Sequence, residues 1–353
     1  MKLRLLLAAL LLALVAGCQS LAYYTQAIGG HLKVLSLARP VEDWLADPQT
    51  DPLLRARLET AQRIRAFATQ RLRLPDNASY ASYAELGRSY VVWNVFAALE
   101  FSVRPQRWCF PFTGCVAYRG YFSREEAEQF AAGLAEQGHD VHVGGVPAYS
   151  TLGWFPDPVL NTFVHYPEAE LARLIFHELS HQVVYAKDDT MFNESFAVAV
   201  ERAGVRRWLA KTGDARQREA FERMQRIRGE FTGLIDKHRA RLEALYRTRL
   251  APQAMRERKQ AILGELEAEY RVLQKGWGGF AGYDRWFARP PNNAQIASLA
   301  IYTRLVPAFE ALLEREGGDL PRFYAAVKEL AALPREERDD RLRAMAPSAA
   351  RDR

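Results

Sequence analysis

Cysteine is scarce in this chain, three in 353 residues, and methionine numbers only five. Three cysteines are too few for a disulfide scaffold or for thiolate zinc fingers, which use cysteines in larger paired sets. No glycine-rich phosphate-binding loop occurs, so nucleotide chemistry has no motif to stand on. No internal repeat is found, and beyond residue 17 no run reads as long and apolar enough to cross a bilayer. A strong excess of one charge is also missing. Lys and Arg total 48 against 42 Asp and Glu, a formal charge of +6, and many arginines alternate with glutamates along one helical stretch. That pattern is a solvated mixed-charge surface, and without an aromatic-and-basic groove it excludes nucleic acid as the expected partner. What is present is ordinary globular composition, 49% hydrophobic and 25% charged, enough for a sizeable core.

The N-terminus carries an address. Met-Lys-Leu-Arg precedes an unbroken apolar run from Leu5 to Ala16, too short for a comfortable span but suited to a secretory signal over residues 1–17. The run closes in Leu14-Val15-Ala16-Gly17-Cys18, which resembles the bacterial lipobox, so Cys18 is expected to be lipidated and to begin the mature chain. Gln19 follows, with no Asp to resemble an inner-membrane retention signal. The expected location is the bacterial envelope, lipid-anchored, on the outer membrane facing the periplasm. An oxidising periplasm permits the two remaining cysteines, Cys109 and Cys115, to pair across a short loop containing Pro111 and Gly114.

Hydrophobic spacing predicts a helix over 41–74, and a helix or strand within 80–101. Ser123-Arg124-Glu125-Glu126 opens a capped helix that Gly138 ends. Residues 141–151 read as extended chain interrupted by Gly144-Gly145. Further helices are expected at 168–184, 193–212 and 293–316, and a last one at about 319–332, with a flexible charged tail over 334–353. Between them, 214–275 reads as a helical hairpin broken at Pro252.

The chemistry concentrates in His177-Glu178-Leu179-Ser180-His181, inside a helical pattern. Four residues apart on a helix, the two imidazoles leave one face and can hold one zinc ion. Glu178, beside the first, can take the proton of a metal-activated water as it attacks a carbonyl. Catalytic zinc usually has three protein ligands. Glu194, at the start of the next helix in Asn193-Glu194-Ser195-Phe196-Ala197, is the expected third, and the segment resembles the Asn-Glu-x-x-Ala of zincin peptidases. Glu201, two turns on, is the rival. It or Asp188 or Asp189 could instead orient a ligand histidine. His31, His139, His142, His165 and His238 lack such a pattern, His165 lying just before the zinc helix.

Zincins hold peptides on an edge strand, and Ala148–Phe155, with Tyr149, Ser150 and Thr151, is the candidate strand. Donors to a developing oxyanion are sought in Tyr302 and Tyr283, with the amides of Asn292 and Asn293 beside them.

These residues together resemble the bacterial putative zinc aminopeptidase family, over nearly the whole mature chain. The resemblance rests on Leu74–Tyr80, Trp93-Asn94-Val95, Trp108–Pro111 with Gly114–Phe122, Ala148–Phe155, the zinc segment and Asn292-Asn293-Ala294. It implies a predicted periplasmic or lipid-anchored peptidase. The expected fold is α+β and mostly helical. It would be a zincin-like metallopeptidase domain over 18–353 with a small sheet and the appended hairpin. The expected function is hydrolysis of peptide bonds with one Zn2+ per chain, a peptide or protein as substrate and the membrane as anchor. No residue presents itself as the carboxylate that an aminopeptidase needs for its substrate's free amine. An envelope endopeptidase, or a non-catalytic binding or chaperone-like lipoprotein using the hairpin to dock partners, are the alternatives.

Overall fold

The computed structural model of the chain describes residues 21–111 and 114–346. The signal segment, Cys18 and the last residues of the tail lie outside that range. Helix α1 covers 21–37, followed by β1 (Arg39–Pro40), α2 (Val41–Ala46) and α3 (Pro52–Leu72). The stretch expected as one helix over 41–74 is therefore two. The first ends at its cap residue Asp47, and Asp51 starts the second, its carboxylate accepting the Leu54 N–H with Pro52 in the first turn.

Strands β2 (Ser82–Ala84) and β3 (Val92–Leu99) resolve the ambiguous 80–101 region as strand. Next come β4 (Trp108–Phe110), β5 (Gly114–Val116), β6 (Arg119–Tyr121), α4 (Arg124–Glu136, capped by Ser123 as expected) and β7 (His139–Val146). β3 is the centre of an antiparallel sheet in the order β6-β3-β7, its register with β7 running from Val92 opposite Val146 to Leu99 opposite His139. The two-residue alternation of β3 sorts its side chains. Val95 and Ala97 pack on Ala127 and Ala131 of α4, while Phe96 and Ala98 turn to the opposite face.

The second half of the chain is helical. β8 (Val159–Leu160) joins β2 in a small mixed sheet, and α5 (Asn161–Val164), α6 (Glu168–Ser180) and α7 (Thr190–Thr212) follow. α8 (Ala215–Tyr246) and α9 (Pro252–Gly276) are the hairpin, opened by an Asp214–Gln217 capping box. A 3-10 turn (Asp284–Phe287) leads to α10 (Asn293–Thr303), α11 (Val306–Arg315), α12 (Leu320–Ala332) and α13 (Arg335–Met345). The main core gathers α3, α6, α7, α11 and α12. The hairpin has its own core around Phe231, Leu266, Tyr270 and Trp277.

Four expectations are corrected. The predicted helix over 293–316 is two helices, split at Arg304 and Leu305 ahead of Pro307. By length and hydropathy 293–315 does pass as a membrane span, contrary to the sequence reading, but α10 packs on α7, β3 and β7 inside the core. The tail from Pro334 is not loose as far as Met345. It forms α13, in which Arg338 and Leu342 are buried. Ala148–Phe155 is not a strand. Leu152 and Gly153 both take positive φ, 57° and 81°, which a β ladder does not tolerate. The Thr151 hydroxyl also brackets the Phe155 backbone, closing a turn. The sheet edge here is β7.

Candidate metal centre

Helix α6 positions the first two donors. Leu171, Leu174, Ile175 and Leu179 are buried in the core, and His177 and His181 leave the remaining side, their rings 4.9 Å apart and nearly perpendicular. The helix ends at Ser180, whose hydroxyl turns back to the Phe176 carbonyl at 2.5 Å, and His181 is its cap residue.

The return to Glu194 depends on a tightly tied turn. The Asn193 side chain accepts the Ala186 N–H at 2.7 Å and donates to the Ala186 carbonyl at 2.9 Å. Asp189 caps α7 by accepting the Phe192 N–H, and its other oxygen receives the Arg338 guanidinium of α13 at 2.7 and 3.1 Å. From the other side, Cys109 and Cys115 form the expected disulfide across paired strands β4 and β5. The Cys115 N–H donates to the Asp188 carboxylate at 2.6 Å, and Arg107 donates to the Asp188 carbonyl at 2.6 Å. Asp188 and Asp189, considered above as orienters of a histidine, thus hold the turn instead. Gly204 of α7 permits the close α6–α7 approach, since a Cβ there would lie 2.7 Å from the Phe176 ring and 2.8 Å from Leu72.

The result is a buried group. His177 Nε2 and Glu194 Oε2 are 3.2 Å apart, and His181 Nε2 and Glu194 Oε2 3.6 Å. One donor atom from each residue lies within 4.8 Å of the others. Donors about 2.0–2.2 Å from one tetrahedral ion stand roughly 3.3–3.6 Å apart, so the separations to Glu194 suit a shared metal ion. Glu201 is not in this set. Its carboxylate lies 2.9 Å from Nδ1 of His177, the nitrogen turned away from Glu194, and receives Arg173 at 3.2 Å. Arg173 also pairs with Glu170 at 2.7 Å, and Glu170 with Arg228 of the hairpin at 2.7 Å. A chain of charges therefore runs from the site to α8.

Burial by itself would lower the His177 imidazole, but hydrogen bonds with Glu194 and Glu201 outweigh it and lift the group to about 10. Burial would raise Glu194, yet His181 and His177 bring it down to about 2. Glu178, 8% exposed, goes the other way. Burial raises its carboxyl above the usual range, only partly opposed by the two histidines.

Two buried phenols are coupled electrostatically to the group. Burial raises Tyr118 and Tyr302 well above 10, and both feel the Glu194 and Glu178 carboxylates. Tyr302 was expected here. Tyr118 was not singled out, although it lies in a segment carrying the family resemblance. Tyr283 is elsewhere, stacked on Phe231 at 3.8 Å in the hairpin core. Asn292 caps α10 and donates to the Val141 carbonyl. The Asn293 amide donates to the Leu99 and Glu100 carbonyls and accepts from Tyr246. Neither is a free amide donor. Tyr149 is hydrogen-bonded to His31 of α1 at 2.6 Å, and Ser150 and Thr151 serve the turn described above. His165 is exposed at the end of α5, His238 is buried in the hairpin beside Glu269, and neither joins the metal group.

Fold and site together define a mostly helical α+β protein with a buried His–His–Glu group that could hold one metal ion. The chain belongs to the family described as putative aminopeptidase, whose model matches residues 22–342. That membership implies a peptide substrate. No curated protein and no solved structure matches the chain.

Proposed function

We propose that this protein is a zinc-dependent aminopeptidase of zincin type. One observation carries the reading: in a member of a putative aminopeptidase family, the helix bearing His177 and Glu178 and capped by His181 is met by the next helix, which brings Glu194 within 3.2 Å of His177. In this reading His177, His181 and Glu194 hold zinc, a donor set of two imidazoles and one carboxylate that suits that ion. Once bound, the ion supplies Lewis acidity to the substrate carbonyl and to water.

The chain's own residues do the rest. Glu178 is buried beside the ligands, and its raised carboxyl makes it a stronger base than a solvated glutamate. It takes the proton of the attacking water and passes it to the leaving amine. The phenols of Tyr302 and Tyr118, held protonated by burial, donate to the oxygen of the carbonyl under attack. Glu201 fixes the His177 ring by its Nδ1, and Arg173 holds Glu201 ionised. The proposal extends to location. The lipobox-like Leu14–Cys18 segment supports an envelope protein anchored by lipid on Cys18.

The test compares metal content and cleavage. Elemental analysis should find about one zinc per chain in the parent and in Glu178→Gln, and close to none in a His177→Ala, His181→Ala double variant. On a library of peptides with free N-termini the parent should remove first residues, and Glu178→Gln should lose roughly 10²–10⁴ in kcat. A parent that takes up no zinc on reconstitution, or a Glu178→Gln protein with full activity, would overturn the reading.

A further inference from the structure

The turn after β7 leaves a carboxylate without a cation among the described residues. Asp157 is 3% exposed. Its Oδ2 accepts the Thr151 N–H at 3.0 Å, whereas Oδ1 is buried with no hydrogen-bond partner among the described residues. The groups acting on it are Thr151 and Glu178, with no arginine or lysine among them. Beside it is a second orphan. Tyr80 is 1% exposed and its hydroxyl, too, is buried without a partner among the described residues. The two residues are tied together, the Tyr80 N–H donating to the Asp157 carbonyl at 2.6 Å. Tyr80 also sits at a φ of 62°, a conformation an aromatic residue adopts only when its surroundings impose it. Both residues feel the Glu178 carboxylate, so they adjoin the proposed general base.

Buried polar atoms are almost always paired, and a buried charge needs a counter-charge. An unpaired acceptor, an unpaired hydroxyl and excess negative charge at one place describe a receptor for a small hydrogen-bonding cation. Burial lifts the Asp157 carboxyl to about 7, with Glu178 adding to it, and an arriving cation would reverse that shift.

We propose that Asp157, through Oδ1, and Tyr80, through its hydroxyl, bind the α-ammonium group of the peptide's first residue. This rests on the aminopeptidase reading and gives it the amine-binding carboxylate that the sequence did not reveal. The ammonium nitrogen and the carbonyl carbon of that first residue are two covalent bonds apart. Holding the amine beside Glu178 therefore presents the first peptide bond and no other. Thr151, whose N–H fixes Oδ2 and so aims Oδ1, is a positioning residue in this scheme.

The experiment separates amine binding from catalysis. Calorimetry on the zinc-loaded full chain would use L-leucinamide and N-acetyl-L-leucinamide as probes. Leucinamide should bind at least tenfold more tightly than its acetylated form. Asp157→Asn should erase that preference while leaving zinc content unchanged, and Tyr80→Phe should weaken leucinamide about three- to tenfold. Equal binding of the two probes by the parent, or an undiminished preference in Asp157→Asn, overturns the assignment. Should Asp157→Asn fail to fold, the parent comparison and Tyr80→Phe, which removes one oxygen and keeps the ring, decide the matter. A parent that prefers leucinamide yet cleaves no peptide would sink the peptidase reading and leave the amine site standing.

Discussion

At the scale of residues, neighbouring carboxylates in this protein are set to opposite ends of their range by their partners. Glu194 lies against the two histidines and Glu201 against Arg173 and His177, and both are brought below the usual range, whereas Glu178 and Asp157 are buried with too little positive charge and are pushed up. Such a division is a mark of a site that handles protons. Asp157 allows the idea to be checked through stability. Its carboxyl moves from an unfolded value of 3.8 to about 7 on folding. The folded state therefore holds the proton more tightly, and the stability this gives is complete below the unfolded value and lost as pH rises through the folded one. Asp157→Asn keeps an acceptor for the Thr151 N–H but cannot ionise. Its stability relative to the parent should thus climb between about pH 4 and pH 7, by on the order of 2–4 kcal/mol, and level off above. Parallel denaturant titrations of the two proteins would show this, and a constant gap across that window would refute it.

Among the elements, the turn joining α6 to α7 decides whether a metal group exists at all, because it alone returns Glu194 to the histidines. It is held by the disulfide hairpin on one side and α13 on the other. Arg338→Ala would leave the Asp189 carboxylate, 3% exposed, without its counter-charge, at a cost of about 3–5 kcal/mol. Zinc affinity should fall in the same variant, although Arg338 touches no ligand. A competition titration with a chromophoric chelator would measure this, and unchanged affinity beside lowered stability would show that the turn does not govern the site. The same elements mark what sequence could tell. Helix α6 was legible because its apolar residues recur at 3.6-residue spacing while its histidines share one side. α13 was not. Arg335–Met345 reads as solvated charge, and nothing local says that Arg338 will meet an aspartate 149 positions earlier. The 148–155 segment misled through its aromatic and β-branched residues, which suit a strand, while Leu152 and Gly153 adopt backbone angles that forbid one. Tyr118 and Tyr80 lie in segments that carry the family resemblance, but nothing local assigns either a role, and Asp157 carries no mark at all. Only the folded chain sets them beside Glu178.

For the molecule as a whole, α10 is the joint. Its Ile296 completes the hairpin core, its Ala294 and Ile301 cover Phe96 and Ala98 of the sheet, and its Tyr302 feels the Glu194 and Glu178 carboxylates. This is why the stretch from α10 into α11 is apolar enough to pass for a membrane span, since α10 packs on α7, α8, β3 and β7. The hairpin is further fastened by Lys259 on Asp140 at 2.7 Å and by the chain from Arg228 through Glu170, Arg173 and Glu201 to His177. With so much shared structure, the hairpin and the core that carries the His–His–Glu group should unfold as one unit. A ligand that binds only the folded state at about a thousand times its Kd adds roughly 4 kcal/mol. Zinc should accordingly move the entire calorimetric transition upward by several degrees, hairpin included, and a chelator should reverse the move. The double variant His177→Ala, His181→Ala should show neither effect. Two separate transitions, of which zinc shifts only one, would mean that the hairpin core around Phe231 and Tyr270 is energetically independent and that α10 does not couple it to the site.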